Sequence, residues 1–296
     1  MRRGAAVGMF DGVHLGHQSL VGELFTASLR RDLVPTAFTF DRHPLSVVSP
    51  GREPRLLTPF HTKIRLLRQA GATDVGVLHF DDGLRRLTSA EFLHMLRADY
   101  GVEMLLVGFN HRFGSDTDAT FDHYAAIGAA EGIEVIRAAE FLLPGLDEKI
   151  SSSAIRAALD RGDIAMANTM LGRPYSITGT VAHGRGIGHT IGFPTANVEP
   201  ECPGLLIPAA GVYIARCVTN GNDHKAIVNI GRCPTVTDGT RQTIEAHLID
   251  FKADLYDTEM QVQFLSRLRD ERKFPSLQAL QAQLLADRKA AIAYPG

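Results

Sequence analysis

Two histidines stand three residues apart in Gly8-Met9-Phe10-Asp11-Gly12-Val13-His14-Leu15-Gly16-His17. On a helical turn that spacing puts both imidazoles on one face. The run Gly4 to Phe10 has the apolar texture of a buried strand, and Leu20, Val21, Leu24, Phe25 and Leu29 then recur at helical spacing. The pair therefore lies where a strand turns into a helix. Glycines there permit a tight turn and close backbone approach. A helix N-terminus offers free N–H groups and a positive dipole to phosphate. Two imidazoles beside it can hydrogen-bond phosphate oxygens as charge builds in a displacement, with no covalent intermediate. The plain alternative is a capped helix with two half-exposed histidines. A metal site is the other option, but no Cys or acidic cluster completes it.

Three further segments carry candidate chemistry. Lys149-Ile150-Ser151-Ser152-Ser153-Ala154-Ile155-Arg156 puts serines and an arginine at another helix start, where Ser152 and Arg156 could meet a triphosphate. From Gly179 to Gly192 five glycines recur, Gly184, Gly186 and Gly188 among them, and such a loop can present successive N–H groups to phosphate. It is not a Walker loop, because no Gly-Lys-Ser/Thr follows. Thr195 and Asn197 come next, two apart, so on an extended segment both oxygens face one way and could reach one Mg2+. A Pro-Thr turn with an Asx bond is the alternative. Glu245 sits inside the β-type run Thr243 to Leu248, either on a surface face or as a placed base.

The elements that must position these residues follow from texture. Through the first half, strand-like runs (Val34 to Phe40, Asp74 to Phe80, Met104 to Phe109, Ile133 to Ile136) alternate with helical ones (around Ile64 to Gln69, Ala90 to Tyr100, Phe121 to Ala130). That alternation predicts parallel βαβ units in a doubly wound α/β domain, with ligands at the carboxyl ends of the strands. Helices are expected from Ser151 to about Arg161 and from Ile164 to Leu171, where Gly172-Arg173-Pro174 is a stop. After that come short β-type runs at Ser176 to Val181, Gly211 to Val218, Ala226 to Ile230, Thr243 to Ile249 and Met260 to Phe264, then one helix from Ser276 to about Ala293. Strands without crossovers predict a small antiparallel barrel with a terminal helix. The expected domains are residues 1–171 and 172–296.

Composition excludes several classes. Lys plus Arg total 31 against 33 Asp plus Glu, and a formal charge of −2 argues against nucleic acid held by bulk electrostatics. No apolar run approaches the ~20 residues of a membrane span. Three scattered cysteines make neither a disulfide framework nor a zinc knuckle, so a cytoplasmic protein is expected.

The motifs together make the resemblance specific. Gly8 to His17, Thr39-Phe40-Asp41-Arg42-His43-Pro44, Gly108-Phe109-Asn110-His111-Arg112-Phe113-Gly114 and Ser151 to Arg156 resemble the FMN adenylyltransferase module of bacterial bifunctional riboflavin kinase/FAD synthetases. The resemblance implies an ATP site drawn from Gly8, Phe10, Gly12, His14, His17, Ser152 and Arg156. It also implies that Asn110 helps hold the reacting phosphates, with Phe40, Asp41 and Pro44 near the flavin. Gly192-Phe193-Pro194-Thr195-Ala196-Asn197, Asn229 to Thr235, Glu245 to Phe251 and Leu268 to Glu271 resemble riboflavin kinase in order and approximate spacing. That implies a six-stranded barrel in which Thr195 and Asn197 hold Mg2+ and ATP. The Gly184 to Gly192 loop would cradle ADP, Glu245 would act as general base and Arg269 would lie near the flavin. His14, His17, Asn110, Arg156 and Glu245 are the expected catalytic set.

The implied function is phosphorylation of riboflavin to FMN, then adenylyl transfer from ATP to FMN, giving FAD and pyrophosphate. The chain departs from the family pattern at Arg42, His111 and His189, and in Ser115-Asp116-Thr117-Asp118-Ala119-Thr120, which stands where a basic residue and a glycine are usual. Exposed aspartates on a polyphosphate path would repel it by roughly a kcal/mol each. An N-terminal domain that is weak or serves another acceptor is therefore a rival reading. A non-catalytic flavin-binding regulator is a second, and the retained base Glu245 speaks against it.

Overall fold

The computed structural model describes residues 1–109, 112–116, 120–183, 192–234 and 240–295, with backbone alone at 233, 234, 240 and 241. Contacts divide the chain into two compact units, Met1–Ser152 and Ser153–Gly296.

The first unit is built on a parallel sheet of β1 (Arg3–Val7), β2 (Val34–Phe40), β3 (Asp74–Leu78), β4 (Val102–Val107) and β5 (Glu134–Arg137), in the order β3-β2-β1-β4-β5. Its helices are α1 (Leu15–Leu29), α2 (Leu45–Val48), α3 (Phe60–Gln69), α4 (Asp82–Arg86), α5 (Ser89–Tyr100) and α6 (Phe121–Ala130). Successive strand residues turn to opposite faces. Ala6 and Leu106 thus pack with Val21, Leu24 and Leu67 of α1 and α3. Ala5 and Leu105 pack with Phe92, Leu93 and Leu96 of α5. Both faces are covered, as a parallel sheet requires. Strand order reverses between β1 and β4, and in open α/β sheets ligands bind outside the carboxyl ends of the strands at such a switch point.

Local signals set the helix ends. Thr88 and Glu91 form a capping box before α5, and Gly101 stops it with φ 67°. The expected strand Gly4 to Phe10 ends at Val7, and Phe10 is excluded from it because Phe10, Gly12 and Val13 all take positive φ (51°, 83° and 39°). A strand cannot continue through that turn.

Helix α7 (Ser152–Arg161) starts on the last residue of the first unit and otherwise belongs to the second, as does α8 (Ile164–Leu171). Six strands then close a barrel in the order β10-β7-β6-β11-β8-β9. They are β6 (Tyr175–Ala182), β7 (Ala196–Pro200), β8 (Gly211–Thr219), β9 (Asn222–Pro234), β10 (Thr240–Leu248) and β11 (Glu259–Arg269). A last helix, α9 (Leu277–Ala293), lays Ala291 against Val212, Ile214 and Ile227. Asn168 of α8 donates to the Phe264 carbonyl and accepts from the Tyr175 N–H, fastening the helix to β11 and β6. By contacts, residues 153–171 thus group with the barrel, ahead of the division expected at 172. Strand β7 is not among the runs expected from texture. It is five residues long, carries Asn197 and Glu199, and gains its partners only from β6 and β10.

Candidate functional site

The loop between β1 and α1 collects the first candidate site. His14 is the N-cap of α1, and its Nδ1 accepts from the His17 N–H at 3.3 Å. That bond puts the neutral ring's proton on Nε2, which leaves Nε2–H as the donor. The His14 and His17 rings stack with centroids 3.6 Å apart, and Phe10 meets His17 edge-on at 5.2 Å. His14 is buried, whereas His17 is partly exposed. A phenylalanine and a β-branched valine at positive φ are strained, and such strain concentrates at ligand clamps. A side chain on Gly8 would press on the Phe10 ring at 3.2 Å. The Ser152 hydroxyl donates to the Asp11 carbonyl at 2.9 Å, so this serine braces the loop. Arg156 follows one helical turn later on α7. Asn110 lies outside the described residues.

Sequence reasoning passed over the roles of two buried groups, Lys63 against this loop and Asp11 within it. Lys63 of α3 is 2% exposed, and its ammonium donates to the carbonyls of Met9 (3.2 Å) and Phe40 (3.3 Å). Burial pushes its pKa down to about 8, against the pull of Asp11 and Asp41. Asp11 is 3% exposed and accepts the Leu57 N–H on both carboxylate oxygens. A signal for Lys63 existed: it is the sole lysine before Lys149, and it shares a helical face with Leu67.

On the proposed flavin side, Phe40 ends β2 and packs edge-on to Phe80 at 5.2 Å. Burial works against the Asp41 carboxylate. The Phe80 N–H, His79 Nδ1 at 2.6 Å and the Arg42 charge nonetheless hold its pKa below the usual range. Pro44 is the N-cap of α2. Asp116 does not stand free: it accepts from the Ser89 N–H (2.7 Å) and Ser89 hydroxyl (2.6 Å). Asp118 lies outside the described residues.

In the barrel, register lines up the second candidate site. Glu245 of β10 is paired with Asn197 on β7 and with Asn229 on β9. Directly opposed residues in an antiparallel pair share a face. Its neighbours Ile244 and Ala246 are buried and Glu245 is partly buried, so by strand alternation Glu245 stands on the opposite face from them. Burial, then the charge of Glu271, pushes its pKa up. A Cβ on Gly231 would meet Glu271 Oε1 at 3.0 Å and Asn229 Nδ2 and Thr243 Oγ1 at 3.3 Å, so this glycine lets those groups converge.

Thr195 precedes β7 and lines a cavity of about 530 Å³ together with Val181, Ala246, Leu248 and Tyr256. The segment is held by His247 Nδ1 against the Pro194 carbonyl at 2.8 Å. Gly192 has φ 77°. Gly184, Gly186 and Gly188 lie outside the described residues. Arg269 is engaged with Asp287 of α9 and with the Asp270 carbonyl. Among the described residues no cluster of three or more His, Cys, Asp or Glu is set to hold a metal, and no helix is long and apolar enough to cross a membrane.

Comparison with known proteins covers both units. Residues 2–154 match the family described as FAD synthetase, and residues 171–294 match riboflavin kinase. A bifunctional riboflavin kinase/FMN adenylyltransferase of Bacillus subtilis (strain 168) is 34% identical over 293 residues, 98% of this chain and 91% of that one. Its counterpart in Pseudomonas fluorescens is 35% identical over 294 residues, 97% and 91% of the two chains. A crystal structure described as a macrolide-efflux protein from Streptococcus pneumoniae matches the fold with TM-score 0.89 at 30% identity, covering 99% of this chain and 95% of that one.

Proposed function

The chain belongs to the bifunctional riboflavin kinase/FMN adenylyltransferase family, and on that premise we propose which of its residues carry each reaction. It is a transferase of flavin cofactor synthesis that phosphorylates riboflavin to FMN with ATP and adenylylates FMN to FAD with release of pyrophosphate. The observation that carries this is the presence of both family matches, end to end, in one chain. The proposed division of labour runs at about residue 172. Helices α7 and α8, most of which neither match claims, would connect the two activities.

For adenylyl transfer, an FMN phosphate oxygen attacks the α-phosphorus of ATP, and the bond to the bridging oxygen of pyrophosphate breaks. His14 and His17 supply N–H donors as negative charge grows there. The α1 N-terminus adds its dipole. Gly8, Phe10 and Gly12 shape the loop, and Ser152 braces it. Arg156 and Asn110 complete the phosphate contacts. Phe40, Asp41 and Pro44 border the flavin. The β1/β4 switch point supports this reading.

For the kinase reaction, the ribityl 5′-hydroxyl attacks the γ-phosphorus and ADP leaves. Glu245 takes the hydroxyl proton, a role its raised pKa suits. Thr195 and Asn197 offer two neutral oxygens. That set fits Mg2+, which binds oxygen, keeps several waters and rides on substrate phosphates. When bound, the ion would neutralise charge on the transferring phosphate. The loop from Gly184 through Gly186 and Gly188 to Gly192 would cradle ADP, in a compartment taken to be the cytoplasm. Arg269, held by α9, would shape the flavin end.

Chromatography of products from riboflavin, ATP and Mg2+ tests the function. FMN followed by FAD is expected. FMN alone would remove the adenylyltransferase activity, and neither flavin product would remove both.

A further inference from the structure

The carboxyl ends of β1 and β2 are joined from below by one side chain. Lys63 donates to the Met9 carbonyl, one residue before the left-handed turn that leads to His14. The same ammonium donates to the Phe40 carbonyl, at the end of β2 beside Asp41. It is 2% exposed, so it cannot itself reach a substrate at the strand ends. A buried ammonium needs partners, and here both hydrogen-bond partners are backbone carbonyls that border the proposed site, one in the histidine loop and one at the end of β2.

We propose that Lys63 is a positioning residue for adenylyl transfer, setting the spacing between the histidine loop and the flavin-side strand end. The inference rests on the reading of the His14–His17 loop as the adenylyl-transfer site. In-line displacement requires the FMN phosphate and the α-phosphorus to be held at attacking distance, and small displacements of either partner are costly in rate. The loop holds the ATP side and the strand end the FMN side. A single cation bonded to both fixes them relative to each other. The carboxylates facing it are Asp11 from the histidine loop and Asp41 from just after β2, the latter also held by Arg42 and His79; on its own helix the Phe60 ring lies 5.2 Å away. With burial pushing Lys63 down to about 8, its charge, and with it the clamp, weakens at mildly alkaline pH.

The test uses the full chain with FMN, ATP and Mg2+, reading FAD by chromatography from neutral to alkaline pH. K63M is expected to lower kcat for FAD formation by about tenfold or more while KM for ATP and FMN moves by less than about threefold. FMN formation from riboflavin should be unchanged. The parent should lose kcat/KM for FAD formation as pH rises through about 8, and K63R, which keeps its charge, should lack that alkaline limb. A K63M kcat within about threefold of the parent would overturn the proposal. Should K63M unfold the first unit, K63R decides: an alkaline limb that persists there overturns it equally. H17A separates this from the underlying reading. Full FAD formation by H17A would dismiss the site assignment itself, whatever Lys63 does.

Discussion

Arg269 donates from Nε and Nη2 to the carboxylate of Asp287, at distances between 2.8 and 3.2 Å, and Asp287 is 2% exposed. Gln283 Nε2 adds a bond to the same carboxylate at 2.7 Å. The last residue of β11 is thereby fixed by the terminal helix. Asp287→Asn removes the charge partner of a partly buried guanidinium, and weakening a hydrogen-bonded pair to a charged group costs about 1–3 kcal/mol. The FMN-forming activity should then be lost at markedly lower temperature than in the parent, with KM for riboflavin raised at permissive temperature. Equal inactivation temperatures would show that this pair holds nothing together.

Glu245 must be ionised to accept a proton, and burial together with Glu271 raises its pKa. FMN formation should therefore fall as pH drops through a value above the ordinary carboxylate range. Glu271→Gln removes a like charge, lowers the Glu245 pKa and should move that acid limb to lower pH. A limb that stays in place or moves upward contradicts the assignment of Glu245 as the base.

Asp116 answers the question its sequence raised. Burial disfavours its charge, yet the two bonds from Ser89 keep its pKa low. It ties the start of α5 to the loop before α6. Asp116→Ala should destabilise the first unit by about 1 kcal/mol, seen as an earlier denaturation midpoint for FAD-forming activity. It should not speed FAD formation. A faster variant would mean that the carboxylate does repel the polyphosphate.

Residue types and spacing made the histidine loop legible, because strand, glycine turn and helix follow one another locally. Strand β2 has the boundaries expected from pattern, Val34 to Phe40. The rest depended on contacts far apart in sequence. Lys63 on an amphipathic helix reads as solvated until β1 and β2 supply carbonyls above it. Asp11 reads as a turn residue until Leu57 donates to it. β7 is too short and polar to declare itself, although it carries Asn197 into line with Glu245. Arg269 reads as available to a ligand until α9 returns to engage it.

Two independent sites in one chain would respond separately to substitution, and one paired measurement tests this. Glu245→Gln and His17→Ala are each assayed by chromatography for FMN from riboflavin and for FAD from supplied FMN. Glu245→Gln should abolish FMN formation and leave FAD formation intact, and His17→Ala should do the reverse. Loss of both activities in either variant, or of neither in both, would contradict the account.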